Sequence, residues 1–439
     1  MKTIQVGLLG FGTVGSGVAK ILLENKDVIT GRLGAEVNLK WVADLDLTTD
    51  RGVALPDGVL ISNAMKVLED PDIDIIVETI GGETNAKKFI LKAIENGKQV
   101  VTANKALIAS HGNEIFMSAQ EKNVDIAFEA SVGGCMPIIK TLRESLGGNR
   151  ILSMRGILNG TCNYILSKIT QEKSLFKDAL RQAQKKGYAE ADPTLDVEGF
   201  DTAHKIAILS ALAYGTEINY NDVYIEGITH ITPFDIETAA QFGYTIKLLA
   251  ISKMLGDKVE VRVHPTMIPS DDILSSVSGS LNAITVKGDA VGDILLSGFG
   301  AGMMPTASAV VSDIMDQSRS LLEGARPRLP LLAFQKSCLK KVPILPIEEI
   351  VTQYYFRFSV LDRPGVLSKI SGILGDNDIS IRTVLQKGRK AEGSVPIVML
   401  THPARGSQVK KALELISQSD EVLDETIIIR IEDENGDGA

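Results

Sequence analysis

The sequence predicts an α/β protein: a doubly wound parallel sheet first, an α+β segment next, and a small β-α-β-β-α-β module last. Three observations predict it. Residues 4–9 form an apolar run that leads directly into Gly10-Phe11-Gly12-Thr13-Val14-Gly15, and a helical pattern follows through Val18, Ile21 and Leu22. Short apolar runs and helical patterns then alternate to about residue 130, as a parallel sheet requires. Past residue 350 the pattern resets to strand, helix, strand, strand, helix, strand, the ferredoxin-like split order.

The glycine loop gives the first element its chemistry. A G-x-G-x-x-G motif carries weight when it follows a strand and opens a helix, as it does here. Gly10 permits the tight turn, Gly12 lets a pyrophosphate approach the backbone, and Gly15 lets the helix lie close on the strand. The phosphates then meet the positive end of the helix. Gly10, Phe11, Gly12, Thr13, Val14 and Gly15 are therefore expected to cradle a dinucleotide in a Rossmann-type domain. The second strand, residues 37–43, ends at Asp44. A carboxylate there holds the adenine ribose hydroxyls and disfavours a 2′-phosphate, which leans toward NAD over NADP. A long gap from the glycines, and Arg51 as a phosphate partner close in sequence, pull the other way.

Residues 74–79 and 99–102 read as the next strands, with a helix through Phe89 and Ile94 between them. Thr79-Ile80-Gly81 and Asn104-Lys105 fall at their carboxyl ends, where ligands of such sheets bind. Lys105 is a site candidate on that ground, although most lysines serve only the surface.

Composition narrows the classes. The chain has 439 residues and a net charge of −9, with Lys and Arg dispersed, so a nucleic-acid partner is not expected. No run of about 18 apolar residues suggests a membrane span. Residues 1–9 run straight into the glycine loop and are expected to be a buried strand, not a cleaved leader. Cys135, Cys162 and Cys338 show no paired spacing and suit a reducing cytoplasm. The five histidines form no metal-binding spacing, so zinc is not expected.

Between Gly187 and Lys205 the chain sets five carboxylates among glycines. Pro193 and the flanking glycines are expected to keep this stretch turn-like up to Gly199. A helix then begins, with Asp201 and Lys205 at i and i+4 on one face. The residues alone allow either a solvated acidic loop with a helix ion pair or a pocket for a cationic substrate beside a proton-transfer group.

Ala183, Gly187, Tyr188, Ala189, Asp192, Pro193, Asp196, Gly199, Asp201 and Lys205 match without a gap the signature A-x3-G, aromatic or aliphatic, small, then D-P-x2-D and G-x-D-x3-K. Together with residues 129–137, Asn159-Gly160-Thr161-Cys162-Asn163-Tyr164 and Gly298-Phe299-Gly300-Ala301-Gly302, they resemble the homoserine dehydrogenase family over about the first three quarters of the chain. The resemblance implies NAD(P)-dependent interconversion of L-homoserine and L-aspartate 4-semialdehyde in threonine and methionine biosynthesis. It implies that Lys205 exchanges the proton at the substrate oxygen and that Lys105 stands near nicotinamide and substrate. Glu190 and Asp201, with Asp196 nearby, would hold the substrate ammonium, and Gly160, Thr161 and Tyr188 would complete the pocket. Gly187 and Gly302 would approach the cofactor. Glu129, Val132, Gly134 and Met136 would hold a monovalent cation such as Na+, through one carboxylate and backbone carbonyls, in a structural role.

The chemistry agrees with a lysine acid. An ordinary lysine, with a pKa near about 10.4, is too basic to take the hydroxyl proton at neutral pH; desolvation and a second lysine would lower that value and Asp201 alone would raise it, and the protonated amine suits proton donation during semialdehyde reduction. A rival is aspartate-semialdehyde dehydrogenase, which requires a cysteine nucleophile; Cys135 and Cys162 are the central candidates.

The C-terminal module, with its Asp362-Arg363-Pro364-Gly365 turn ahead of a helix from Val366, looks like an ACT domain. The resemblance implies an amino-acid effector, threonine in this family, held at Asp362, Gly365 and Val366 where a helix N-terminus offers backbone donors. A module that only dimerises is the alternative, as is a pure sensor with an inactive dehydrogenase domain; intact Lys105, Glu190, Asp201 and Lys205 speak against the latter. The expected division is 1–130 for the dinucleotide, 131–320 for catalysis and dimerisation, 321–350 as linker, and 351–432 for regulation. Pro327, Pro330, Pro343 and Pro346 suit a semi-rigid connector. The expected assembly is a homo-oligomer, dimer or tetramer, in the cytoplasm.

Overall fold

The structure, a computed structural model, describes residues 2–324, 329–386 and 394–433. Arg326, Pro327 and Arg328 of the expected connector lie outside the described residues. The chain divides into two compact units, each assembled from separate stretches of sequence. The first holds residues 1–160, 201–221 and 281–342; the second holds 161–200, 222–280 and 343–439.

The first unit contains a six-stranded parallel sheet. Its strands are β1 (Thr3–Leu9), β2 (Glu36–Ala43), β3 (Leu60–Ile61), β4 (Ile75–Glu78), β5 (Gln99–Thr102) and β6 (Ile126–Ala127), in the order β3-β2-β1-β4-β5-β6. The central strands are apolar along their length because helices cover both faces: Val6, Leu8 and Leu9 on β1, and Ile75, Ile76 and Val77 on β4, are fully buried. One core joins Val18, Ala19 and Leu22 of the helix Thr13–Glu24 to Ala307, Val310 and Ile314 of the helix Met303–Glu323. A segment some 290 positions downstream of the glycine loop thus completes the nucleotide-binding core, which periodicity alone does not reveal. The same unit contains the antiparallel strands Ile151–Ile157, Leu281–Gly288 and Gly292–Phe299.

The second unit contains the long hairpin Tyr244–Leu255 and Lys258–Pro269 together with the C-terminal module. The module's strands run Ile427–Ile431, Val351–Leu361, Ser394–Thr401, Ile381–Gln386 in space, with helices Val366–Asp376 and Gly406–Ser417. This is the β-α-β-β-α-β arrangement expected. Tyr354, Phe356, Phe358, Leu374, Met399 and Ile416 form its core.

The connector differs from expectation. The helix Met303–Glu323 runs into it, and its later residues bind the hairpin: Val259 N–H donates to Pro343 O at 3.0 Å and Leu345 N–H to Val259 O at 2.8 Å. The module itself is also built in. Ile427–Ile431 pairs in parallel with the hairpin strand, Arg430 opposite Thr266 and Ile431 opposite Met267. Arg357 forks onto Asp235 at 2.6 and 3.1 Å, and the Tyr355 hydroxyl donates to the same carboxylate at 2.9 Å. Asp235 has no exposed surface and caps the helix Pro233–Gln241. A bidentate arginine on a buried carboxylate is a rigid joint, not a hinge.

The same unit holds a second set of buried charges. Glu260, Arg262, His264 and Thr266 share one face of the strand Lys258–Pro269, and every one is buried. Arg262 bonds Glu260 at 2.6 Å and Glu432 at 2.7 Å, and Lys253 also pairs with Glu432. Burial and the neighbouring Arg262 hold His264 well below its ordinary pKa, so its neutral ring accepts from the Arg262 guanidinium and donates from Nδ1 to Pro265 O.

Candidate functional site

The catalytic candidates gather at the head of the helix Phe200–Tyr214. Asp201 and Lys205 lie on one face, 2.7 Å apart, with 9 % of each side chain exposed. Lys105, first residue of the helix Lys105–Lys122, reaches the other oxygen of Asp201 at 3.2 Å and is 40 % exposed. Two residues beyond the expected set complete the constellation. Leu158 O accepts from Lys205 Nζ at 2.6 Å, and Asn159 Nδ2 donates to Asp201 at 2.9 Å. Burial opposes the charge on Asp201, but the ammonium groups of Lys205 and Lys105 outweigh it and hold the carboxyl well below the usual range. Asp201 therefore has both oxygens engaged by protein groups. These contacts tie Asp201 to both lysines.

Lys205 Nζ has three N–H donors, and two go to Leu158 O and Asp201. Among the described residues no hydrogen bond takes the third.

The glycine loop has the geometry that a dinucleotide needs. Gly10 is at φ 94°, and a side chain there would lie 2.8 Å from the Thr79 backbone. A side chain on Gly15 would strike Gly10 O, whereas Gly12, capping the helix Thr13–Glu24, faces open space. Thr79 Oγ1 donates to Leu9 O and Gly10 O at 3.1 and 3.0 Å, tying the end of β4 to the loop. Asp44 Oδ2 accepts from Phe11 N–H at 2.5 Å, and Arg51 lies 5.5 Å from the Phe11 ring centre and 3.8 Å from Asp44. Val14 is half-buried and Thr13 exposed beside Gly12. Gly302, at φ 124°, opens the helix Met303–Glu323, whose residues share the core of this domain.

Two further polar residues emerge only in the structure. Glu78 is fully buried at the end of β4; Thr102 donates to it at 2.6 Å and the Ile80 and Gly81 N–H groups at 2.9 and 3.2 Å. Burial pushes its carboxyl up, against the pull of these donors. Asn104 caps the helix of Lys105, accepting from Leu107 N–H, and donates to Gly82 O at 2.6 Å. The sequence carried signals for both: a carboxylate closing an apolar strand, as at Asp44, and an asparagine just before a helix.

In the second unit, Thr161 Oγ1 donates to Tyr188 O at 2.6 Å, and Asp196 O accepts from the buried Cys162 at 3.1 Å. Glu190 is exposed, its backbone carbonyl accepting from Gln184. Gly187, at φ 74°, is exposed beside Tyr188. Thr194–Val197 forms one helical turn, a correction to the wholly turn-like stretch expected before Gly199. Pro193 precedes that turn as its cap, where a missing N–H does no harm. Gly160 opens the helix Gly160–Glu172 in the chain.

In the expected cation loop, Glu129 accepts from Ile139 and Lys140 N–H, both at 2.8 Å, so its carboxylate caps the next segment. Burial, then Asp313, pushes its pKa up to about 8. The Met136 carbonyl accepts from Ile138 N–H at 2.8 Å. No hydrogen bond among the described residues ends on the carbonyls of Val132 or Gly134, the donors that remain suited to a monovalent ion. Among the described residues, no cluster of His, Cys, Asp or Glu is arranged to hold a metal. In the C-terminal module, Asp362 is half-buried, Gly365 is at φ 94°, and Val366 begins a helix whose Lys369 N–H bonds Gly365 O.

A glycine-loop domain and a lysine–aspartate–lysine set, with Asp201 and Lys205 buried and Lys105 part-exposed, are what a nicotinamide-dependent oxidoreductase acting on a CH–OH group needs. Comparison with known proteins agrees. The family model "Homoserine dehydrogenase" matches residues 137–315, its NAD-binding domain matches 10–129, and the ACT domain model matches 354–437. A homoserine dehydrogenase of Neisseria gonorrhoeae is 45 % identical over 98 % of this chain and 99 % of its own length. The crystal structure of a homoserine dehydrogenase from Thiobacillus denitrificans superposes with a TM-score of 0.93 at 47 % identity, covering 99 % of both chains. A hyperthermophilic archaeal homoserine dehydrogenase in complex with NADPH has a TM-score of 0.61 at 27 % identity, over 72 % of this chain and 97 % of its own. The chain belongs to the homoserine dehydrogenase family, with a C-terminal ACT domain, and the thiol-enzyme alternative falls. No helix of the described residues is long and apolar enough to cross a membrane.

Proposed function

We propose that Lys205 is the acid that protonates the carbonyl oxygen as aspartate semialdehyde becomes homoserine, and the base in the reverse direction. The observation that supports this is the placement of Lys205 Nζ, buried and held by Leu158 O at 2.6 Å and Asp201 at 2.7 Å, with Lys105 at the other oxygen of that carboxylate. A nicotinamide dinucleotide bound at the glycine loop supplies or accepts the hydride. The ammonium group of Lys205 stabilises the oxygen as negative charge develops on it. Asp201, Asn159 and Leu158 O hold the lysine in place, and Lys105 adds the second cation. Glu190 and Asp196 are the groups we assign to the substrate ammonium, with Gly160, Thr161 and Tyr188 around it. The segment 1–130 then serves the cofactor, 131–320 the substrate and dimerisation, and 351–432 regulation.

Arg51 bridges Asp46 at 3.1 Å while Asp44 is tied to the glycine loop. We propose that both NAD and NADP are used: Asp44 favours the ribose hydroxyls, and Arg51 turns from Asp46 to a 2′-phosphate. Arg51→Ala should raise the KM for NADPH roughly tenfold and that for NADH far less. A monovalent cation on the Val132 and Gly134 carbonyls would be structural. Threonine at Asp362, Gly365 and Val366 is the proposed effector. A cytoplasmic homo-oligomer is proposed too, with Leu295 and Phe299 exposed on an edge strand that a second copy would cover.

The test is turnover with homoserine and each cofactor, repeated with added threonine. Absence of homoserine-dependent nicotinamide reduction with both cofactors would refute the assignment. Regulation is better tested by Gly365→Val in the full chain than by truncation at 350, because truncation removes Glu432 from the buried Arg262.

A further inference from the structure

Glu78 closes β4 as a fully buried carboxylate, on the side of β1 away from Asp44. In the order β3-β2-β1-β4-β5-β6, Asp44 follows β2 and the glycine loop follows β1. A dinucleotide that crosses the glycine loop with its adenine ribose at Asp44 therefore carries its nicotinamide half toward the ends of β4 and β5. The chain leaves those ends through residues 79–82 and 102–105, and the second of these turns delivers Lys105.

Glu78 is bonded to both turns. Its Oε1 accepts from Ile80 N–H at 2.9 Å and from Gly81 N–H at 3.2 Å. Its Oε2 accepts from the Thr102 hydroxyl at 2.6 Å, and Thr102 Oγ1 accepts in turn from Asn104 N–H at 3.0 Å. Asn104 closes the circuit. Its Nδ2 donates to Gly82 O at 2.6 Å, while its Oδ1 takes Leu107 N–H at the head of the helix that Lys105 begins.

The first turn needs such a hold. Gly81 and Gly82 stand at φ 71° and 67°, and glycines leave a turn free to move unless something outside it fixes it. On its other side the turn meets the glycine loop, where a side chain on Gly10 would lie 2.9 Å from Ile80 N. Burying a carboxylate is costly, and a single neutral acceptor could serve the Ile80 and Gly81 amides. What the carboxylate adds is a second oxygen, spent on the turn of Lys105. Hydrogen bonds to a charged acceptor are also the strong ones.

We propose that Glu78 is a positioning residue for hydride transfer: by gripping the turns after β4 and β5 together, it holds the nicotinamide half of the cofactor and the Lys105 ammonium in one frame. It acts through Ile80, Gly81 and Thr102, not by contact with the reacting atoms. The inference rests on the cofactor reading above, which dinucleotide binding by the parent protein tests by itself.

The experiment uses Glu78→Gln and Thr102→Val in the full chain, each alone and combined with Lys105→Ala. Glu78→Gln keeps the size but offers one acceptor where the two turns take one each. Thr102→Val keeps the shape and removes the hydroxyl that joins them. Turnover of homoserine should fall roughly tenfold or more in each, because small misalignments are costly in a positioned reaction. In the Lys105→Ala background the same substitutions should cost less than about threefold, since the frame then has no lysine to place. Binding is read without substrate, by nicotinamide fluorescence for NADH and NADPH and by calorimetry for ADP-ribose and 2′-phospho-ADP-ribose, which lack the nicotinamide. Glu78→Gln should weaken the dinucleotides severalfold more than these fragments. Thr102→Val spares the grip on Ile80 and Gly81 and should leave both affinities in place.

Near-parent turnover in both variants overturns the inference. Equal losses of turnover with and without Lys105 overturn it as well, because a residue that only stabilises the fold acts on both alike. Unchanged dinucleotide affinity in Glu78→Gln, or equal weakening of dinucleotide and fragment, does the same. Thr102→Val, which deletes a single hydroxyl, decides the turnover arm if Glu78→Gln does not fold. A parent protein that binds neither dinucleotide overturns the cofactor reading, and this inference with it.

Discussion

At the head of the helix Phe200–Tyr214, Lys105 and Lys205 face one carboxylate, Asp201. On and beside the hairpin strand Lys258–Pro269, Arg262 and, from the partner strand Tyr244–Leu255, Lys253 face two carboxylates, Glu260 and Glu432, with a neutral histidine alongside. Both sets are ionic and largely withdrawn from water, yet they do opposite things. The second is balanced and closed, with 2 % of the Arg262 side chain exposed, and its bonds join the last strand of the ACT domain to the hairpin. The first keeps Lys105 part-exposed and brings the ammonium groups of Lys105 and Lys205 to the two oxygens of one carboxylate. A closed buried set serves architecture; one with a part-exposed member is open to a ligand.

Breaking the balanced set should have the largest effect. Arg262→Ala leaves Glu260 and Glu432 buried beside a single lysine, and should destabilise the fold by about 3–5 kcal/mol in denaturant titration. The turnover of molecules that remain folded should change little. Lys205→Ala is the converse: turnover should fall roughly 10²-fold or more while cofactor binding, followed by nicotinamide fluorescence, persists. Near-normal turnover would remove Lys205 from the mechanism.

Lys247 sharpens the comparison as a buried cation whose bonds go to uncharged oxygens, Val277 O at 2.5 Å and Asn163 Oδ1 at 3.3 Å. Burial lowers its pKa from 10.5 to about 8. Between those values the unfolded chain binds a proton that the folded chain does not, so stability should rise with pH across that window, by about 2 kcal/mol. Urea midpoints measured near both ends should show the rise in the parent and not in Lys247→Met. The smallest change is expected from Asp201→Asn. It keeps the shape but removes the negative charge that faces both ammonium groups. Turnover should drop about tenfold, and the alkaline limb of semialdehyde reduction should move to lower pH. An unmoved limb would show that the carboxylate does not govern the proton donor.

Much of this was legible along the chain. Gly10, Gly12 and Gly15 took the three geometries their spacing implied, because each answers to contacts within one strand–turn–helix unit. The Asp201–Lys205 pair followed from helical spacing alone. Asn159 and Leu158 O stayed hidden because they reach the pair from 42 and 47 residues away. The strand Lys258–Pro269 misleads in another way. Its alternation of Val259, Val261 and Val263 with Glu260, Arg262 and His264 reads as one buried face and one solvated face. Both faces are buried.

The sequence by itself therefore determined the local devices: the parallel sheet, the glycine loop, the helix bearing Asp201 and Lys205, and the order of the ACT domain. Period, turn chemistry and i,i+4 spacing are short-range properties, and the residues that satisfy them are neighbours in the chain. Tertiary structure alone decided what surrounds each charge. It set two lysines against one aspartate, sealed Arg262 between two glutamates, and fixed the last ACT strand to the hairpin. Whether a charge is solvated or balanced depends on groups distant in sequence, and no local pattern encodes them.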